Sequence, residues 1–190
     1  MQGEVQWSKA GVPQGGDGLE NYAKAILYAY PLLKTVGQDY EEHIRNKAAL
    51  SYLNATTAEK LAEYIAGEIL EMRRLEWLKA KVEQVLDKLD ETEKLLLSIR
   101  YFGKRKKIKA LVNANGKWSE RNYFRRQKRL SEKVGEMLRV YGVTEELFLS
   151  DYAALDLFKK IYRFVQEGKD RKVSVDERRA LQKEEKELRA

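Results

Sequence analysis

The chain has 190 residues, of which 43% are apolar and 35% are charged, and its formal net charge is +7. This length suits one domain or two small ones, and the apolar share is sufficient for a buried core. Two prolines and no cysteine favour helices and exclude disulfides and thiolate metal sites. Because no apolar run reaches the ~18 residues that span a bilayer, and no signal-peptide pattern opens the chain, we expect a soluble, cytoplasmic protein.

Residues 1–18 are glycine-rich and aperiodic, which predicts a flexible tail. From Leu19 onward the apolar residues recur at helical spacing, and Pro31 is expected to kink or break this helix. A second amphipathic stretch covers about residues 38–49. In "NATTAEK", Thr56 followed three residues later by glutamate fits a capping box at the start of a long helix.

The long helix carries one apolar stripe, which the sequence places at Leu61, Ile65, Ile69, Met72, Leu75, Leu78, Val82, Val85 and Leu89. A helix of this length needs a partner helix, either from the N-terminal segment or from a second protomer. Residues 19–89 are therefore predicted to be a helical hairpin or bundle that oligomerises or binds a partner.

Residues 90–142 follow the order of a helix-turn-helix unit. Asp90 is an N-cap candidate for "ETEKLLLSIRYF", and that helix is expected to end near Gly103. "KRKKIKALVN" contains a short basic helix and "ANGK" a turn. Ser119 then caps a long helix that Gly142 can end in a left-handed conformation.

Basic residues are concentrated in this unit. Between Arg100 and Arg129, twelve lysines or arginines stand against one acid, Glu120, which leaves the rest of the chain with a net charge of −4. Clustered cations bind phosphates by releasing counterions, whereas a solubilising face usually mixes both signs. This pattern favours nucleic-acid binding over a solvated charged helix.

The long basic helix has an apolar side for anchoring and a polar side for contact. Trp118 and Tyr123 are expected to fix it to the preceding helices, and Phe124 either packs against the C-terminal helices or touches a thymine methyl. Arginine reads guanine, asparagine reads adenine, lysine mostly contacts phosphate, and Glu120 could accept from cytosine. The candidate DNA-binding residues are Lys104, Arg105, Lys106, Lys107, Lys117, Ser119, Arg121, Asn122, Arg125, Arg126, Lys128 and Arg129.

The C-terminal part is predicted to be helical and then charged. Thr144 begins a helical extension over residues 143–168. Residues 169–190 are expected to form a charged tail, in which Ser174 and Glu177 could cap a solvated helix. The expected fold class is all-α, with the N-terminal helices followed by the helix-turn-helix unit and the C-terminal helices.

"LDETEKLLLSIRYF" followed by "WSERNYFRRQKRL" resembles region 4 of sigma-70-type factors, and more closely the ArpU-type late-gene regulators of prophages in Gram-positive bacteria. The resemblance covers about residues 20–150. It implies that the serine opens the recognition helix and that Ser119, Arg121, Asn122, Arg125 and Arg126 meet DNA. Three features depart from the pattern: the turn "NANGKWS" is longer than usual, Phe124 stands where a polar DNA-contacting residue is usual, and sigma region 2 has no counterpart. A regulator is therefore expected rather than a complete sigma factor.

The sequence gives no basis for catalysis, a metal site or a cofactor. It lacks the phosphate-binding patterns GxxxxGK[ST] and GxGxxG, and His43 is its only histidine. The adjacent Glu41 and Glu42 point to different sides of a helix and form no acid/base pair. We therefore expect no enzyme.

The primary hypothesis is a sequence-specific transcription regulator that binds double-stranded DNA through the major groove. Its N-terminal helices would form a homodimer or contact RNA polymerase. Two alternatives stay open: a DNA-packaging protein similar to a phage small terminase subunit, which would assemble into rings, and a helical scaffold that binds an acidic protein.

Overall fold

The computed structural model describes residues 18–50, 57–104, 108, 111 and 119–189, and within them all regular structure is α-helical. This confirms the predicted all-α class. The helices are α1 (Asn21–Leu50), α2 (Ala58–Asp87), α3 (Glu91–Arg100), α4 (Glu120–Val140), α5 (Glu145–Asp151), α6 (Asp156–Gln166) and α7 (Arg171–Arg189). None of these helices is long and apolar enough to cross a membrane. The expected N-terminal tail lies outside the described residues apart from Gly18.

Helix α1 continues through Pro31, so the predicted break at this residue is wrong. A proline inside a helix costs ~3 kcal/mol or more because it removes one backbone N–H and crowds the preceding turn. Leu27, Tyr30 and Leu33 on either side of it are buried, whereas Pro31 itself is exposed. Burying each such apolar side chain stabilises by ~1.5–3 kcal/mol, which is enough to offset the proline.

Helix α2 has 30 residues and is therefore ~45 Å long. Its N-cap is Thr57, whose side chain makes no capping hydrogen bond. The capping box expected at Thr56 lies outside the described residues. The C-terminal half of the predicted stripe is buried, from Leu75 to Leu89, whereas the half from Leu61 to Met72 is only partly buried.

The partner of α2 is α1 of the same chain, packed antiparallel to it. The Tyr40 hydroxyl donates to Glu71 Oε2 at 3.0 Å, and His43 Nε2 lies 2.9 Å from the Tyr64 hydroxyl. Later residues of α1 thus meet earlier residues of α2, as in a helical hairpin. This places the lone histidine in an exposed contact between the two helices.

Helices α5 and α6 close the core over the first turns of α1. Phe148 is fully buried, and its ring centroid lies 6.3 Å from that of Tyr22 and 5.4 Å from that of Phe158. The Thr144 side chain caps α5 by accepting from the Leu147 N–H at 3.3 Å. Helix α5 therefore begins directly after Thr144, as the sequence predicted.

Helix α7 is part of the folded domain, unlike the charged tail expected from its composition. It begins at Arg171, so Ser174 and Glu177 lie inside the helix and do not cap it. Val173, Glu177 and Leu181 are buried, and their spacing of four residues places them on one face. That face packs against α3 and α4. Three buried positions at helical spacing therefore fix this charged helix to its neighbours.

Candidate nucleic-acid interface

Helix α4 begins at the predicted capping residue. Ser119 has an extended backbone with φ −76° and ψ 152°, and its side chain accepts from the Asn122 N–H at 3.3 Å. This bond satisfies one of the free donors of the first helical turn. At the other end, Gly142 has a φ of +83° and terminates the helix in the left-handed conformation expected of it.

One face of α4 is fixed to α3. Tyr123, Leu130 and Val134 are buried on this face. Gln127 is buried with them, and its side-chain nitrogen donates to the Leu96 carbonyl at 3.0 Å and to the Tyr123 hydroxyl at 3.1 Å. A buried amide that is hydrogen-bonded to the backbone of the neighbouring helix sets both the depth and the rotation of α4, because these hydrogen bonds tolerate little deviation in distance and angle.

A buried ion pair joins this assembly to α7. Arg100 Nη1 donates to Glu177 Oε2 at 3.0 Å, and the two side chains are 8% and 0% exposed. Burial and the Glu177 carboxylate raise the pKa of the neighbouring Tyr123 phenol. Three helices, α3, α4 and α7, thus meet at one polar cluster beneath the start of the basic helix.

Helix α7 also contacts the first turn of α4. Arg178 Nε lies 2.6 Å from Glu120 Oε1, and Gln182 donates to Glu120 Oε2 at 3.0 Å. The Arg178 guanidinium lies 5.4 Å from the centre of the Phe124 ring, which also meets Tyr123 edge-on at 5.1 Å. Phe124 is therefore a packing residue, which is one of the two roles expected of it from the sequence. The carboxylate of Glu120 is engaged within the chain, which leaves it poorly suited to accept from a base.

The opposite face of α4 is basic and exposed over its first three turns. Its exposed cations are Arg121, Arg125, Arg126, Lys128 and Arg129. Asn122 is half-buried, and its side-chain oxygen accepts from Arg125 Nη2 at 3.0 Å. Lys128 lies 3.9 Å from Glu132, and both side chains are well exposed. The face therefore presents five cations and one amide whose positions are set by the buried side of the same helix.

The predicted site residues before α4 are only partly described. Lys104 is exposed, and its N–H donates to the Ser98 carbonyl at 3.1 Å, just after the left-handed Gly103. Ile108 and Leu111 are helical and buried. Outside the described residues lie Arg105, Lys106, Lys107, Lys117, Trp118 and the turn at 114–117.

Tyr123 was predicted to anchor this helix, but three polar residues that also position the face were not assigned this role from the sequence. Gln127, Glu177 and Gln182 have polar side chains, so the sequence alone indicated that these side chains are exposed to solvent. Their spacing carried the missing signal: Gln127 lies four residues after Tyr123, and Glu177 lies midway between two buried apolar residues of α7. No group of three or more carboxylate or histidine side chains that could hold a metal occurs in the part of the chain that the structure describes.

Comparison of the chain with protein-family models, with curated proteins and with solved structures found no match in any of the three. The function of this surface is therefore inferred from its geometry and its charge.

Proposed function

We propose that the chain binds double-stranded DNA as a transcription regulator, with α4 as its recognition helix. The observation that carries this proposal is the division of α4 into two faces. One face is bonded to the buried core through Gln127, and the other exposes five cations in its first three turns. A helix held in this way can enter the major groove without moving the rest of the domain.

The exposed side chains form two rows along the helix. Spacings of three and four residues place Arg121, Arg125 and Lys128 in one row and Asn122, Arg126 and Arg129 in the other. A helix is ~10–12 Å in diameter and the major groove is ~12 Å wide. The outer members of the two rows of an inserted helix would therefore approach both walls of the groove, while Asn122 and Arg125, which are bonded to each other across the rows, reach the base edges.

Arg125 and Asn122 are the residues that we assign to base reading. Their side chains are already joined by a 3.0 Å hydrogen bond, which restricts the freedom of both before any ligand binds. Arginine pairs with the O6 and N7 atoms of guanine, and asparagine with the N6 and N7 atoms of adenine. The remaining cations of the face, together with Lys104, would contact phosphates and set the position of the helix.

The charge along α4 indicates which end enters the groove. Its last three turns expose Glu132 and Glu136 together with Lys133 and Arg139 and so have no net charge, whereas the first three turns expose five cations and no acid. The N-terminal end should therefore lie closest to the DNA, as is typical of helix-turn-helix recognition helices.

The test uses DNA sites selected by the protein from random sequence, followed by affinity measurements on a selected and a scrambled duplex. Arg125→Ala should weaken binding to the selected site by about 5- to 150-fold, equivalent to ~1–3 kcal/mol, and binding to the scrambled site much less. Lys104→Ala should weaken both alike and reduce the slope of log affinity against log salt by about 1. Arg139→Ala is the matched control, since it removes an exposed arginine ~21 Å further along the same helix.

Two results would contradict the proposal. Absence of binding to any duplex at low salt would favour a scaffold that binds an acidic protein. Equal losses for Arg125→Ala and Arg139→Ala on both duplexes would show that binding depends on overall charge and not on the start of α4.

A further inference from the structure

A seam of six residues runs along an exposed side of α2. Its members are separated alternately by four and three residues: Glu63, Gly67, Leu70, Arg74, Trp77 and Lys81. Five of them are exposed and Lys81 is half-buried. Alternation of four and three is the spacing with which helices meet in coiled coils.

The apolar members of this seam are only partly covered by the described part of the chain, in which the Lys81 ammonium lies 5.4 Å from the centre of the Trp77 ring. Leu70 is 57% exposed and Trp77 is 39% exposed, although the core side of the same helix buries Leu78 and Val82 completely. Large exposed apolar side chains in one row typically mark a surface that meets another molecule.

Gly67 is the second unusual member of the seam. A Cβ atom built on it would have no atom within 4 Å among the described residues, so no neighbour in this chain requires a glycine there. Glycine also weakens a helix interior relative to alanine. A shallow gap one turn from the exposed Leu70 is a place where a bulky side chain of another molecule can approach the backbone.

We infer that this seam pairs antiparallel with the same seam of a second copy of the chain. A twofold axis at the level of residue 72 places three pairs in register, each of which occurs twice. Glu63 lies opposite the partner's Lys81, Gly67 opposite the partner's Trp77, and Leu70 opposite the partner's Arg74. The indole would fill the gap over the glycine, the acid would meet the lysine, and the leucine would lie on the aliphatic part of the arginine.

The charges of the seam select this direction over a parallel one. In a parallel pair in register, Glu63, Arg74 and Lys81 would each face their own copy, and like charges in contact are unfavourable. The antiparallel arrangement removes all of these contacts. The seam covers 19 residues and spans ~27 Å, which is short for a stable dimer. We therefore expect dissociation in the range of roughly 1–100 µM, as for small transient interfaces.

This inference does not rest on DNA binding, since it concerns α2 alone. If α4 does bind DNA, the dimer presents two recognition helices related by a twofold axis, and its target should be an inverted repeat. An inverted repeat among the selected sites would link the two proposals, but the dimer is tested without DNA.

The first experiment is sedimentation equilibrium of the full chain over a concentration series, which separates the 22.2 kDa chain from a species of twice that mass. Glu63→Lys and Lys81→Glu should each weaken dimerisation on the order of tenfold, because the twofold axis repeats each repulsion. The double variant should restore it. Glu76→Lys is the matched control, since it makes the same change at an exposed position of α2 outside the seam.

The second experiment tests the direction of pairing, and the absence of native cysteine makes it simple. Glu63→Cys and Lys81→Cys should form a disulfide when the two variants are mixed, and little when either is oxidised alone, because equal positions would lie ~27 Å apart. Any of four results would overturn the inference. They are cross-linking of either cysteine variant alone, a monomer throughout the concentration series, a ring of more than two chains, and failure of the double charge-reversal variant to restore the dimer.

Discussion

The buried pair between Arg100 and Glu177 supports a quantitative prediction about the fold. Removing one member of a buried ion pair leaves the other charge in a poorly solvated site, which typically costs ~3–5 kcal/mol. Both side chains are less than a tenth exposed and lie 3.0 Å apart, so Glu177→Ala should lie in this range. For a chain of this size each kcal/mol lowers the melting temperature by about 2–4 °C, which gives an expected fall of about 6–20 °C.

The assay is thermal and urea unfolding followed by circular dichroism, with two controls. Glu120→Gln removes the other carboxylate that α7 contacts, but Arg178 and Glu120 are 57% and 31% exposed, so the loss should be only ~0–1 kcal/mol. The double variant Arg100→Met with Glu177→Leu removes both charges at once and should recover most of the stability. If Glu177→Ala lost no more stability than Glu120→Gln, the ion pair would not be buried as described and α7 would not be a fixed part of the domain.

Two further predictions concern pH and backbone conformation. Burial is the main cause that raises the pKa of Tyr22, Tyr40 and Tyr152 to about 12 each. Since unfolded tyrosine titrates near ~10, the stability from these phenols is present below that pH and is lost as the pH rises towards 12. Ultraviolet titration should show the last tyrosinates forming together with unfolding, and titration of all eleven tyrosines near 10 in the folded chain would contradict this. Gly142→Ala should destabilise by ~1–2 kcal/mol, because an L-residue is strained at its φ of +83°. Gly67→Ala should instead stabilise by ~1 kcal/mol, because Gly67 lies inside a helix with open space around it; urea unfolding of both variants below the dimerisation range tests the difference in sign.

The starts of α3, α4 and α5 were predictable because they depend on a few adjacent residues. Asp90 forms the expected capping box with Glu93, with bonds of 2.7 and 3.1 Å, and Ser119 and Thr144 cap the helices that follow them. In each case the side chain satisfies backbone N–H groups within its own first turn. Such interactions are local, so no knowledge of the tertiary structure was needed to place them.

The tertiary roles of Pro31 and of α7 were not predictable in the same way. The cost of the proline is local, but the packing that offsets it comes from residues that meet only in the folded chain. In α7, only two buried apolar residues flank the buried Glu177, and a glutamate in a charged run indicates solvent unless its partner is known. Arg100 lies 77 positions earlier in the chain, and nothing in the sequence near either residue identifies the other.

The contact between α7 and α4 changes the charge that the proposed interface presents. Glu120 is the one acid between Arg100 and Arg129, and it would otherwise oppose phosphate at the end of α4 that we propose lies nearest the DNA. Arg178 and Gln182 both bind its carboxylate, so α7 neutralises this acid from within the chain. The first three turns of α4 therefore present a more uniformly positive surface than the residue count alone indicates, while Glu120 still stabilises the helix as a negative charge at its N-terminus.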